Sequence, residues 1–120
     1  MIMRYYSLIQ HPKVFLKTTG LQVAEFDARV RDVAPAFAQA EHERLARPDR
    51  QREIGGGRSS ELDGRNQLLL TVVWLRLYPT HEVLGYLFGV SDSTVSRVSA
   101  RMFTSIIASL RAQSLVSKKP

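Results

Sequence analysis

Residues 80–97 read THEVLGYLFGVSDSTVSR, and this stretch decides the fold of the chain. Thr80 follows Pro79 and precedes His81, Glu82 and Val83, so a hydroxyl stands at a helix N-cap with an acid in the first turn. Gly89 ends that helix about two turns later, because glycine enters left-handed geometry without a Cβ clash. Ser91 supplies a second N-cap, and the pattern from Asp92 predicts a helix that runs to Arg111 or beyond. Two helices joined by so short a turn define a helix-turn-helix unit.

The apolar positions agree with that reading. Leu84 and Phe88 fall inward on the first helix, Val90 plugs the turn, and Val95 and Val98 face inward on the second. Gly85 stands where the two helices cross most closely, a place that demands a small residue. The outward face of the second helix carries Ser91, Ser93, Thr94, Ser96, Arg97 and, one turn on, Arg101. Recognition helices enter the major groove of duplex DNA with their N-terminal residues near the base edges. Arg97 is the candidate for direct readout, since a guanidinium pairs bidentately with guanine. Ser93, Thr94 and Ser96 suit phosphates or bases, while Ser91 is expected to be occupied in capping. An ordinary solvated helix face is the competing reading for both arginines. Asp92 suits the helix dipole and disfavours a phosphate beside it.

Upstream, Leu62 to Tyr78 reads as a central helix. Leu68, Leu69, Leu70, Val72, Val73, Trp74, Leu75 and Leu77 leave its second half almost no polar face, as in a helix surrounded by others. Trp74 is accordingly expected in the core, and Pro79 ends the helix. From Arg47 to Ser60 periodicity disappears amid Pro48, Gly55-Gly56-Gly57 and five arginines counted from Arg44 to Arg58. No strand precedes the glycines and no Gly-Lys-Ser/Thr follows them, which argues against a phosphate-binding loop. Arg58 is a candidate DNA contact in a basic arm, with a plain solvated linker as the alternative. Nearer the N-terminus, beyond a break at Thr19-Gly20, Phe26, Val30, Val33 and Phe37 share one helical face. Pro35 interrupts them, predicting one helix near Gln22 to Val33 and another from Pro35 to about Arg47. The fold class expected is all-α: a small bundle of about five to six helices containing a helix-turn-helix. Its expected segments are an N-terminal helical part at 1–47, a basic Gly-rich linker at 48–61 and a DNA-binding part at 62–115.

Composition is compatible with this. The chain has 120 residues, 44% of them hydrophobic, enough for one domain with a core. It carries 17 Lys and Arg against 11 Asp and Glu, a net charge of +6 that favours polyanionic partners. With no cysteine, disulfides and thiolate metal sites are excluded. The first ten residues lack a signal-peptide pattern, and the apolar run Leu68–Leu75 is far short of the roughly 20 residues that span a membrane. A cytoplasmic location is expected. His11, His42 and His81 lack clustered partners at ligand spacing, and no nucleophile–base pair stands out. Neither cofactor, metal nor small-molecule substrate is expected.

One wider resemblance emerges. Leu68-Leu69-Leu70-Thr71-Val72-Val73-Trp74-Leu75-Arg76, then Tyr78-Pro79-Thr80, Glu82-Val83-Leu84-Gly85, Leu87-Phe88-Gly89-Val90-Ser91 and Ser93-Thr94-Val95-Ser96-Arg97 together resemble a known family. It is the N-terminal helix-turn-helix domain of IS5-type insertion-sequence transposases, in the DDE superfamily. Phe15-Leu16, Thr19-Gly20-Leu21, Glu25-Phe26 and Pro35 resemble the same family's opening helices, and Gly57-Arg58 its basic linker. Two features depart from its pattern: Ser59-Ser60 in the linker, and Val98 where a larger residue often follows the arginine. The resemblance implies sequence-specific binding of double-stranded DNA at the terminal repeats of an insertion element. The family's catalytic half is an RNase H-like domain with a metal-binding acidic triad. These 120 residues leave no room for it, so no catalysis is expected. A free-standing transcriptional regulator is the alternative. A module that pairs with itself or with a transposase subunit through Met102, Ile106 and Leu110 is another.

Overall fold

The computed structural model describes residues 2–46 and 62–117. Six helices and no strand occur among them: α1 (Tyr5–Leu8), α2 (Pro12–Thr19), α3 (Val23–Leu45), α4 (Gly64–Leu77), α5 (His81–Phe88) and α6 (Asp92–Ser117). The chain is all-α, as its periodicity implies.

The N-terminal helices are built around aromatic residues. Pro12 opens α2 in the first turn, where a missing amide hydrogen costs nothing, and Gly20 closes it at φ 74°. The Thr19 hydroxyl donates to the Phe15 carbonyl at 2.7 Å and accepts from the Leu21 amide at 3.0 Å, which fixes the corner into α3. Phe15 meets Phe26 edge-on with ring centroids 5.5 Å apart, and Tyr5 stacks on Phe26 at 5.8 Å. Phe15 and Phe26 are fully buried.

The expected break at Pro35 does not occur. Helix α3 is continuous from Val23 to Leu45 with Pro35 inside it. Proline in a helix interior costs about 3 kcal/mol, but Phe26 and Val33 are each buried for about 1.5–3 kcal/mol, so packing outweighs the local penalty. Its position limits the damage further. Arg31, whose carbonyl loses its helical donor, and Pro35 are both exposed. In the same turn the Ser109 hydroxyl of α6 donates to the Asp32 carbonyl at 2.9 Å, bracing the helix from its packed side.

Helix α4 is the hub and touches all five others. Asp63 caps it, accepting from the Asn66 amide at 2.9 Å. Its burial differs from the expectation, however. Residues Leu68, Leu69, Leu70, Thr71 and Val73 are buried, but Val72 and Trp74 are only half-buried and Leu75 and Leu77 are exposed. The other helices therefore surround its middle, and its last turn emerges from the bundle. Trp74 lies against the core and meets His81 edge-on. The helix stops at Tyr78, which adopts left-handed geometry at φ 54° immediately before Pro79.

A single buried cluster runs from Met3 and Tyr5 through Phe15, Phe26 and α4 to Phe88, Val95 and Met102. Its outermost piece is an N-terminal hook. The Met3 amide donates to the Leu87 carbonyl at 2.8 Å, and the Arg4 guanidinium bonds the Phe88 carbonyl at the end of α5. The Met102–Ile106–Leu110 stripe divides: Met102 is buried, Ile106 packs on the cluster and Leu110 is exposed.

Candidate nucleic-acid interface

The helix-turn-helix forms where the caps place it. Thr80 accepts from the Val83 amide at 3.2 Å and starts α5, and Gly89 ends it at φ 70°. Ser91 then accepts from the Thr94 amide at 3.1 Å and starts α6. Leu84, Phe88, Val95 and Val98 are all buried, and Val90 is half-buried in the turn. Gly85 is required sterically: a Cβ there would lie 2.6 Å from the Val90 carbonyl oxygen. These positions fix α6 against α5 and turn the opposite face of α6 outward.

That face presents a short polar chain. The Ser91 hydroxyl lies 3.0 Å from that of Ser93 and donates to the Thr94 hydroxyl at 3.0 Å. Arg97 Nη2 donates to the same Thr94 oxygen at 3.3 Å. Ser93, Ser96 and Arg97 are exposed and Thr94 is half-buried. Ser91 is engaged in its cap, whereas Ser96 and the remaining donors of Arg97 face solvent. Thus Ser91, Ser93, Thr94 and Arg97 are brought together at the start of α6, with Ser96 beside them. Arg58 lies outside the described residues.

Arg101, expected as a DNA contact on the outward face of α6, also reaches across to α3. Its Nη1 is 3.8 Å from Glu41 Oε1 of α3, and its Nε donates to the Arg97 carbonyl at 3.4 Å. Burial pushes its pKa down, Arg44 and Arg97 push it the same way, and Glu41 opposes them. A guanidinium stays charged under such shifts. Glu41 in turn accepts from Arg44 Nη2 at 2.8 Å and Nε at 3.2 Å. That pairing holds its carboxyl below the usual carboxylate range. Sequence reasoning missed Glu41 and Arg44 as members of this surface. A helix continued through Pro35 would have carried them to α6, but a through-space pair leaves no local signature. On α5, Tyr86 and Val83 are also exposed on the outer face.

Other charged groups have structural employment. Asp27 accepts from the Tyr5 hydroxyl at 2.7 Å, and Arg65 lies over the Tyr5 ring at 4.5 Å. Glu25 accepts from the Gln22 amide at 3.0 Å to complete the start of α3. Asp32 pairs with Arg29 at 3.0 Å.

Residues 60–111 match the model of a family described as the helix-turn-helix of DDE superfamily endonucleases. The matched segment takes in α4, α5 and most of α6, including Ser91 to Arg101. Helices α1 to α3 lie outside it. No curated protein and no solved structure matches the chain. Among the described residues, no helix is long and apolar enough to cross a membrane.

Proposed function

We propose that the chain binds double-stranded DNA sequence-specifically through the N-terminal half of α6. The observation that carries this reading is the side-chain set Ser93, Thr94, Ser96 and Arg97, held outward at the start of a helix whose inner face is locked by Gly85, Gly89 and Val95. An exposed arginine beside hydroxyls at a helix N-terminus suits base edges and phosphates together. The similarity of residues 60–111 to endonuclease helix-turn-helix units supports the same partner. Following the IS5-type resemblance, the target is the terminal inverted repeat of an insertion element.

These 120 residues supply binding and not strand cutting. Asp63 and Glu25 cap helices, Asp27 serves Tyr5, and Asp32 and Glu41 pair with arginines, which favours structural roles over metal ligation. The chain acts in the cytoplasm, where its target DNA is available.

Selection of duplexes from a random pool tests the function. Enrichment of half of an inverted repeat is expected. Recovery of a promoter palindrome would replace the transposase reading with that of a regulator, and no enrichment would overturn sequence-specific binding. Incubation with supercoiled DNA and magnesium should leave the DNA uncut; nicking would refute the division of labour.

A further inference from the structure

The outward face of α6 continues into a charge cluster that joins helices distant in sequence. Arg44 in the last turn of α3 grips the Glu41 carboxylate at 2.8 Å and 3.2 Å. Arg101 of α6 approaches Oε1 of the same carboxylate at 3.8 Å. Arg97 precedes Arg101 by one helical turn, and its carbonyl accepts from the Arg101 guanidinium. Two guanidiniums therefore share one carboxylate, and the cluster keeps an uncompensated positive charge. Arg44 lies close enough to Arg101 to act on it electrostatically, as Arg97 does from one turn earlier on α6. Cations gathered this closely attract an anion. Planar guanidiniums match the oxygens of a phosphate better than any other side chain does. The cluster is also reachable, since the side chains of Arg44 and Arg101 are 41% and 34% exposed.

We propose that Arg44 and Arg101 form one site for a backbone phosphate of duplex DNA, one helical turn beyond Arg97, with Glu41 as the internal counter-charge that the phosphate competes against. The site rests on the DNA-binding reading and extends it to α3, a helix outside the matched segment. Glu41 has two effects there. It orders Arg44 and Arg101 before DNA arrives, which reduces the entropy lost on binding. It also lowers the local positive potential, which weakens non-specific attachment.

The test uses the full chain and two labelled duplexes: one selected by the wild type, and one of the same composition with shuffled sequence. Anisotropy titrations over a range of salt give affinity and its salt slope. Arg44→Ala should weaken binding to both duplexes by the same several-fold factor and make the slope shallower by about 0.9, the value for one phosphate contact. Glu41→Gln, which keeps the acceptor and removes the charge, should tighten binding to both. In the double variant Arg44→Ala with Glu41→Gln, the Arg44 loss should persist. Its disappearance would show that Arg44 merely keeps Glu41 away from Arg101, and would overturn direct contact. An unchanged Arg44→Ala slope, or a loss confined to the selected duplex, would overturn the site and leave DNA binding standing. A wild-type chain that binds neither duplex would overturn both readings. Melting temperatures of the variants guard against misfolding as the cause.

Discussion

The carbonyl oxygen of Val90 stands 2.6 Å from the place a Cβ on Gly85 would occupy, and the Val90 amide donates to the Gly85 carbonyl at 2.9 Å. The two residues thus clasp the turn with backbone alone. Gly85→Ala must push the turn away from α5, an overpacking expected to cost about 1–3 kcal/mol. Urea unfolding reads this directly; an unchanged midpoint would mean that the turn yields freely. Because the clasp sets the angle of α6, the same variant should also bind DNA more weakly than its stability loss alone explains.

Arg97 is the exposed guanidinium nearest the start of α6, and its contact with Thr94 at 3.3 Å is weak enough to exchange for a base edge. Arg97→Ala should lose about 1–3 kcal/mol on a selected duplex and relax the preference at one position. Competition with single-base variants of that duplex makes the measurement. Uniform weakening across all variants would make Arg97 a phosphate contact instead.

Tyr78 holds φ 54° with 76% of its surface exposed, so the residue contributes little packing in return for a backbone region that disfavours side chains. Tyr78→Gly is expected to stabilise the chain by roughly 1 kcal/mol, even after the greater freedom of glycine in the unfolded state is counted. Thermal melting checks the sign. A lower melting temperature would assign the Tyr78 ring a packing role.

The carboxyl of Glu41 titrates below its ordinary value of 4.5, chiefly through the hydrogen bond from Arg44. A depressed folded-state value gives stability that is present above the unfolded value and is lost as pH falls through the folded one. The difference in melting temperature between wild type and Glu41→Gln should therefore be largest above about pH 4.5 and shrink in stronger acid. It will be small, because pairs this exposed contribute about 1 kcal/mol or less. A difference that grows on acidification would contradict the assignment.

Much of the reading head was legible in the sequence because its signals are local. Thr80, Gly85, Gly89 and Ser91 each act on backbone within a few residues of themselves, and their spacing encodes the turn. What escaped was decided through space. Pro35 looks like a boundary until α6 is packed along α3, and only then does Asp32 meet Ser109 and Glu41 meet Arg101. Apolar composition alone could not tell that Leu75 and Leu77 emerge from the bundle, since burial depends on where neighbouring helices end. The Met3–Leu87 bond joins backbone to backbone and writes nothing into side-chain pattern.

The cluster that unites Phe15 and Phe26 with Leu69, Leu70 and Phe88 bears on how portable the reading head is. A peptide trimmed to residues 60–111 would retain every candidate base reader but lose the aromatic lining supplied by α1 to α3. Its hub helix would then lose three of the five helices packed against it and open apolar surface to water, an invitation to self-association. Grafting this head onto another protein therefore means carrying the first 46 residues with it.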